Sequence, residues 1–310
     1  MSALDFSTKI GSKRFSNPIF TASGCASSGQ ELSQFFPLSS LGAVVTKSIM
    51  TKPRTGRATP RMAETPSGML NSIGLQGPGI DTFLEKDIPW LIEQQAKIII
   101  SIAGETVDEY GVLARRLRAL SGISAVEVNI SCPNVENRGQ VFACNPDTAV
   151  AVIESVRRNI GGELPIIAKL SPDVTDIVEI AGAVINAGVD GLALINTLLG
   201  MVIDTNSMRP KLAGKTGGLS GPAIRPVAVR AIYQVHQAFP NTPIVGMGGV
   251  ASGRDAFELI LAGASAVSVG TATFGNPNAT MQIKEELSQL LTKNGFNDFR
   301  DAIGFAHRGI

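Results

Sequence analysis

The chain has 310 residues, 44% of them hydrophobic, and a formal net charge of +1. This length suits one large α/β barrel or two ordinary domains, and the apolar content excludes a disordered chain. The small charge gives no reason to expect nucleic acid or an anionic membrane as partner, and no apolar run is long enough to span a bilayer.

Met1–Phe6 has no basic segment followed by an apolar one, so no secretion signal is expected and a cytoplasmic protein is. Cysteines number three, Cys25, Cys132 and Cys144, which argues for reduced thiols over a disulfide framework. Their spacing matches no zinc site, and only His236 and His307 could add imidazole, so no metal site is expected.

Along the chain, Pro18–Ala22 is predicted as a first strand. Leu41–Lys47 is the second, after a short helix near Glu31–Phe36. Ile98–Ile102 is the third, followed by a helix near Val107–Leu120, and Val126–Ile130 is the fourth. A helix near Asp147–Asn159 leads to the fifth strand, Pro165–Leu170, and one near Ile177–Ala187 leads to the sixth, Gly191–Ile195. Pro243–Met247 and Ala266–Gly270 are the seventh and eighth, with helices near Ile224–Ala238 and Arg254–Leu261 and a last one near Met281–Leu291. Apolar strands alternating with helices mean a parallel sheet covered on both faces. Eight such units predict a TIM (β/α)8 barrel in one domain over residues 1–310. Two long connections interrupt the repeat, Ser48–Leu75 and Leu198–Pro222. Both follow strands, so both are expected as long loops on the face where barrels carry their sites.

The most informative stretch is Asn129–Asn134. Pro133 ends the fourth strand, which leaves Cys132 at its carboxyl end between two amides, Asn129 and Asn134. An isolated Cys is more often a small buried hydrophobe; the strand-end position and the polar neighbours favour a functional one here. Gly246–Gly249 follows the seventh strand and Gly270-Thr271 the eighth, where barrels hold phosphate groups on backbone N–H donors. Lys47 and Lys169 end apolar strands and face either a carboxylate or an electron-rich ligand; few loop carboxylates are near Lys169, which favours the ligand there. Asn71–Leu75 and Asn196-Thr197 add uncharged groups, and with Asn129 they would suit a small planar heterocycle.

These segments resemble the dihydroorotate dehydrogenases over nearly the whole chain. The resemblance is carried by Ala22–Cys25, Ala63–Pro66, Asn71–Gln76, Asn129–Asn134, Lys169–Pro172, Ile195–Met201, Lys215–Pro222, Gly246–Gly249 and Gly270-Thr271. A Cys at position 132 is similar to the soluble class 1 enzymes, and Asn196–Met201 with Lys215–Pro222 resembles the NAD-linked class 1B catalytic subunit. The resemblance implies FMN held by Ser23, Lys47, Ser48, Asn129, Lys169, Ile195, Gly221, Gly248, Gly249, Gly270 and Thr271. It implies dihydroorotate held by Lys47, Asn71, Ser72, Ile73, Gly74, Leu75, Asn129, Asn196 and Thr197, with Cys132 as catalytic base. Position 101 departs from the pattern: similar sequences often have Asn beside the flavin, and Ser101 is shorter.

The class 1B resemblance also implies NAD as final acceptor. Yet no G-x-G-x-x-G opens a βαβ unit here, and three cysteines cannot supply the four ligands an iron–sulfur cluster normally needs. A second subunit carrying FAD and a [2Fe–2S] cluster is therefore expected, around a homodimer of this chain. The alternatives are a stand-alone class 1A-like enzyme reducing fumarate and a flavin enzyme acting on another dihydropyrimidine.

Overall fold

Short β-branched runs, too short for stable helices, become eight parallel strands in this computed structural model, which describes residues 4–130 and 145–309. The strands are β1 (Ile19–Thr21), β2 (Val44–Val45), β3 (Ile98–Ile102), β4 (Ile123–Asn129), β5 (Ile166–Lys169), β6 (Gly191–Leu194), β7 (Ile244–Met247) and β8 (Ala266–Val269). Each pairs with the next in sequence, and β8 pairs with β1. A bridge between Phe20 and Ala43 joins β1 to the start of β2 and closes the ring. Its hydrogen bonds run from Gly42 N–H to the Ile19 carbonyl at 2.8 Å and from Thr21 N–H to the Ala43 carbonyl at 3.2 Å. The fold is a TIM barrel.

Among the described residues, the helices of ten residues or more are α1 (Val107–Leu117), α2 (Pro146–Ile160), α3 (Ile177–Asn186), α4 (Arg225–Ala238), α5 (Gly253–Ala262) and α6 (Ala279–Lys293), which cover the outside. Polar side chains start four of them. Thr106, Asn145, Asp176 and Ser252 each accept a hydrogen bond from a backbone N–H in the first turn.

Inside the barrel, the inward side chains change character along the strands. Phe20, Val45, Ile99, Ala125, Ile167, Ala193, Val245 and Ala266 pack as one cluster. Side chains alternate in a strand, so the residue two further on faces the same way. On β3, β4, β5 and β8 those residues are Ser101, Glu127, Lys169 and Ser268, all buried, while β6 and β7 lead to the buried apolar Ile195 and Met247. One interior is thus apolar toward the strands' amino ends and polar toward their carboxyl ends. A hairpin of Thr8–Ile10 with Lys13–Phe15 shares the apolar cluster through Ile10 and Phe15, and the Phe15 ring lies 4.9 Å from Phe20.

The predicted strands all form, with ends shifted by up to about three residues: β4 begins at Ile123, earlier than Val126, and β2 shrinks to Val44–Val45. Among the described residues, several elements went unpredicted, and three of them are larger or closer to the core and the opening. The amino-terminal hairpin is one; its strands have three residues each. A helical stretch from Ile80 to Glu93, with a wider π-type turn over Phe83–Asp87, is another.

The third corrects the reading of the long connections as loops. Met62–Thr65, Gly68–Asn71, Leu198–Met201 and Thr216–Ser220 form a four-stranded antiparallel sheet, in which Thr216–Ser220 pairs with both Leu198–Met201 and Gly68–Asn71. Glycine permits the close approach: a Cβ on Gly218 would stand 2.1 Å from the Thr197 hydroxyl oxygen.

Phe15→Ala is expected to lower stability by about 3–5 kcal/mol, as for other buried Phe truncations. A urea unfolding midpoint indistinguishable from the parent would show that the hairpin is not part of the core.

Candidate functional site

All eight strands finish at one opening, and residues just past their ends line a cavity of about 570 Å³. Ser23 follows β1, and Lys47 with Ser48 follows β2. Asn129 and Lys169 are the last residues of β4 and β5, set opposite one another by the register. Ile195, Asn196 and Thr197 follow β6, Gly248 and Gly249 follow β7, and Gly270 with Thr271 follows β8. Asn71 comes from the antiparallel sheet, Ile73 and Leu75 from the segment after it, and Gly221 from the end of Thr216–Ser220. All these predicted residues line the cavity.

Ser72 and Gly74 are not among the lining residues. Ser72 is buried, and its hydroxyl accepts from Arg57 Nη1 at 3.1 Å. Cys132, the predicted base, lies outside the described residues, as do Pro133, Asn134 and Cys144.

A wall of bare backbone faces the uncharged side chains. Gly249 has φ +75°, which a side chain rarely adopts, and a Cβ there would lie 2.7 Å from the Arg225 Cβ and 2.9 Å from the Gly221 carbonyl oxygen. Thr271 Oγ1 donates to Ser220 Oγ at 2.8 Å.

Opposite that wall, the cavity floor is a connected polar network. Lys169 Nζ lies 3.7 Å from Glu127 Oε1, and both side chains are nearly fully buried. Of the two partners open to Lys169 from the sequence, a ligand is favoured because loop carboxylates are few; the structure supplies a carboxylate as well. The partner comes from the neighbouring strand, two residues before Asn129 on the same face, and not from a loop. Ser101 Oγ donates to the same Glu127 oxygen at 2.9 Å and lies 2.9 Å from Ser48 Oγ. Asn129 Nδ2 donates to Ser48 Oγ at 3.0 Å, Asn196 Nδ2 donates to Asn129 Oδ1 at 3.4 Å, and Ser23 Oγ stands 3.3 Å from Ser48 Oγ. Ser101 is itself fully buried and absent from the lining residues.

The sequence reading missed several wall residues. Met69 and Ser220 reach the cavity only because two distant connections pair, which no local pattern reveals. Cys25 had a signal, since it follows β1 in the resemblance, but no role was attached to it. Burial pushes its thiol up from the ordinary value of 9.0, while the ammonium groups of Lys169 and Lys47 pull the other way. Two cations, three amides, several hydroxyls and a glycine wall around an apolar interior suit a flat, polar ligand with an anionic tail.

The sequence pattern of the dihydroorotate dehydrogenase family matches residues 5–291. Three proteins named dihydroorotate dehydrogenase B (NAD(+)), catalytic subunit, are similar to this chain at full length. The one from Desulforamulus reducens is 51% identical over 304 residues, 98% of this chain and 99% of that protein. The one from Desulforudis audaxviator is 51% identical over 292 residues, 94% of each. That from Geotalea daltonii is 48% identical over 304 residues, 98% of this chain and 99% of that protein.

The raised thiol makes a reactivity prediction. At pH 7, Cys25 alkylates more slowly with iodoacetamide than an ordinary thiol, and its rate goes on rising past pH 9.0, where an ordinary thiol begins to level off. Peptide mass mapping of the labelled Cys25 reads this directly, and fast labelling at pH 7 would contradict it.

Proposed function

The chain belongs to the dihydroorotate dehydrogenase family, and on that premise we propose that it is the catalytic subunit of an NAD-linked enzyme that oxidises (S)-dihydroorotate to orotate in pyrimidine biosynthesis. The observation that carries the reading is convergence. Lys47, Asn71, Asn129, Lys169 and Asn196 come from five separate stretches of chain and line one cavity.

The residues present fit FMN. A volume of about 570 Å³ lies within the usual range of ligand sites, and Gly248, Gly249 and Gly270, which line it without side chains, would take the phosphate on backbone N–H groups. Ser23, Lys47, Ser48, Asn129, Lys169, Ile195, Gly221 and Thr271 would hold the rest. When bound, FMN supplies the acceptor for the hydride that leaves C6 of dihydroorotate.

The protein's own tasks follow from its donors and acceptors. Lys47 would hold the substrate carboxylate, and Asn71, Asn129, Asn196 and Thr197 the ring, with Ser72, Ile73, Gly74 and Leu75 completing that segment. Lys169 would offer its positive charge to the flavin when that group is bound. Cys132 would take the proton from C5, since a thiol titrates close enough to neutrality to act as a base. Cys132→Ala should cut flavin bleaching by dihydroorotate by about 10²–10⁴-fold, the usual worth of a general base, while FMN content stays normal. A mutant that bleaches at the parental rate ends the assignment.

We place the path onward to NAD on a second subunit carrying FAD and a [2Fe–2S] cluster, with a homodimer of this chain at the centre of the complex. The words "catalytic subunit" in the relatives' names support a partner, and so does the sequence, whose three cysteines fall short of a four-ligand cluster. Among the described residues no helix is long and apolar enough to cross a membrane, and we place the complex in the cytoplasm. The chain alone should reduce an artificial dye with dihydroorotate but not NAD, and should gain NAD reduction when the partner is added. Rapid fumarate reduction by the chain alone would overturn the NAD-linked reading and leave the site intact.

A further inference from the structure

Among the described residues, Glu127 and Lys169 are the two charged side chains that are buried. The proposed chemistry gives Lys169 a task and leaves Glu127 without one. Its hydrogen bonds supply one.

A carboxylate has no hydrogen to give, so Ser101 must donate to Glu127 across their 2.9 Å contact. Ser101 has then used its single hydrogen. Across the 2.9 Å to Ser48 it can only accept, so Ser48 donates. Ser48 has now used its own hydrogen and must accept from Asn129 at 3.0 Å, which requires the amide to present Nδ2. The other end of that amide, Oδ1, is left to accept from Asn196 Nδ2 at 3.4 Å. Ser23, 3.3 Å from Ser48, must donate for the same reason. The directions from Glu127 through Ser101 and Ser48 to Asn129 are thus set from the acidic end. Thr197 N–H, donating to Asn196 Oδ1 at 2.8 Å, turns Asn196 Nδ2 toward the same Asn129 amide.

The choice matters because the two ends of an Asn amide are nearly equal in size and opposite in hydrogen-bonding sense. A flipped Asn129 would fill the same space and offer a ring ligand the reverse pattern. We propose that Glu127 is a positioning residue whose charge, relayed through Ser101 and Ser48, fixes the orientation of the Asn129 amide at the cavity. The ion pair with Lys169 at 3.7 Å ties the second cavity-lining group to the same carboxylate. The inference rests on the reading of this cavity as a flavin and dihydroorotate site.

The relay also accounts for what position 101 requires. Ser donates with its hydrogen and accepts with its lone pairs. An Asn there would donate from nitrogen and accept at oxygen, so it keeps the same direction; Ala breaks it.

The experiment compares the FMN-loaded full chain with Ser101→Ala, Ser101→Asn and Glu127→Gln. Orotate affinity is read from the change it causes in the oxidised flavin spectrum, FMN affinity from flavin fluorescence, and folding from the melting temperature. Ser101→Ala is expected to weaken orotate about tenfold, the worth of one oriented hydrogen bond, and Ser101→Asn to restore it to within about twofold. Glu127→Gln keeps Ser101 but can donate to it, so the same loss of about tenfold is expected, together with weaker FMN binding. Orotate affinity within about twofold of the parent in folded Ser101→Ala and Glu127→Gln overturns the proposal. So does equal loss in Ser101→Ala and Ser101→Asn, which marks a packing role. A parent chain that binds neither FMN nor orotate fails the underlying reading instead, whatever the variants do.

Discussion

A carboxylate and an ammonium lie side by side under the cavity floor, and the polar end of the barrel depends on that pairing. Lys169 buried alone would bear the full cost of leaving water. With Glu127 at 3.7 Å the cost is offset, and removal of either partner would be expected to cost about 3–5 kcal/mol. Barrel register produces the contact. Asn129 stands opposite Lys169 and Glu127 opposite Ile167, so the carboxylate sits one pleat back on the same inward face. A one-residue slip between β4 and β5 would send Glu127 outward and leave Lys169 unpaired. The pair is therefore a check on register as well as part of the site.

The same inward face explains why stability and chemistry occupy opposite ends. Four strands, β3, β4, β5 and β8, bury an apolar residue first and a polar one two positions later: Ile99 then Ser101, Ala125 then Glu127, Ile167 then Lys169, Ala266 then Ser268. The amino-terminal hairpin adds Ile10 and Phe15 to the apolar part. The polar part is held by hydrogen bonds running across strands, from Asn129 on β4 to Ser48 after β2 and back through Ser101 on β3 to Glu127. Cross-strand bonding of this kind holds side chains in place beneath a cavity that must stay open to a ligand.

Much of this was legible in the chain. Alternation of apolar runs with helical stretches gave eight strands in the right order, because β-branched runs such as Ile98–Ile102 have few other uses. Lys47, Lys169 and the glycines after β7 and β8 were found because they end such runs. Glu127 was passed over because it sits inside one: Ala125-Val126-Glu127-Val128 reads as an apolar strand with a blemish. The available signal was its spacing, two residues before Asn129 and so on the same face. The hairpin at Thr8–Phe15 was missed because strands of three residues leave almost no periodic trace. Ser72 and Gly74 were grouped with their neighbours by motif, and a motif does not say which of its residues face inward.

The antiparallel sheet is where sequence reading reaches its physical limit. Met62–Thr65 and Gly68–Asn71 make a local hairpin, but the second half of the sheet comes from beyond β6, and only the folded barrel brings the two together. Once paired, the two faces separate. Leu70 and Leu219 stand opposite each other, with Leu198 opposite Leu219; Leu70 is buried, while Leu198 and Leu219 pack against the main core. Met62, Asn71 and Gly218 share the other face with Leu199, and Met62 and Asn71 line the cavity. Leu199 and Met201 continue that face outward as exposed apolar side chains. Strand pairing, with its period of two, thus decides which residues of two long Gly-rich connections serve the site, which anchor it and which are left for another surface to cover. A loop of the same composition without the ladder would fix none of these directions, so the wall of the cavity over Asn71 is set by backbone hydrogen bonds first and by side chains second.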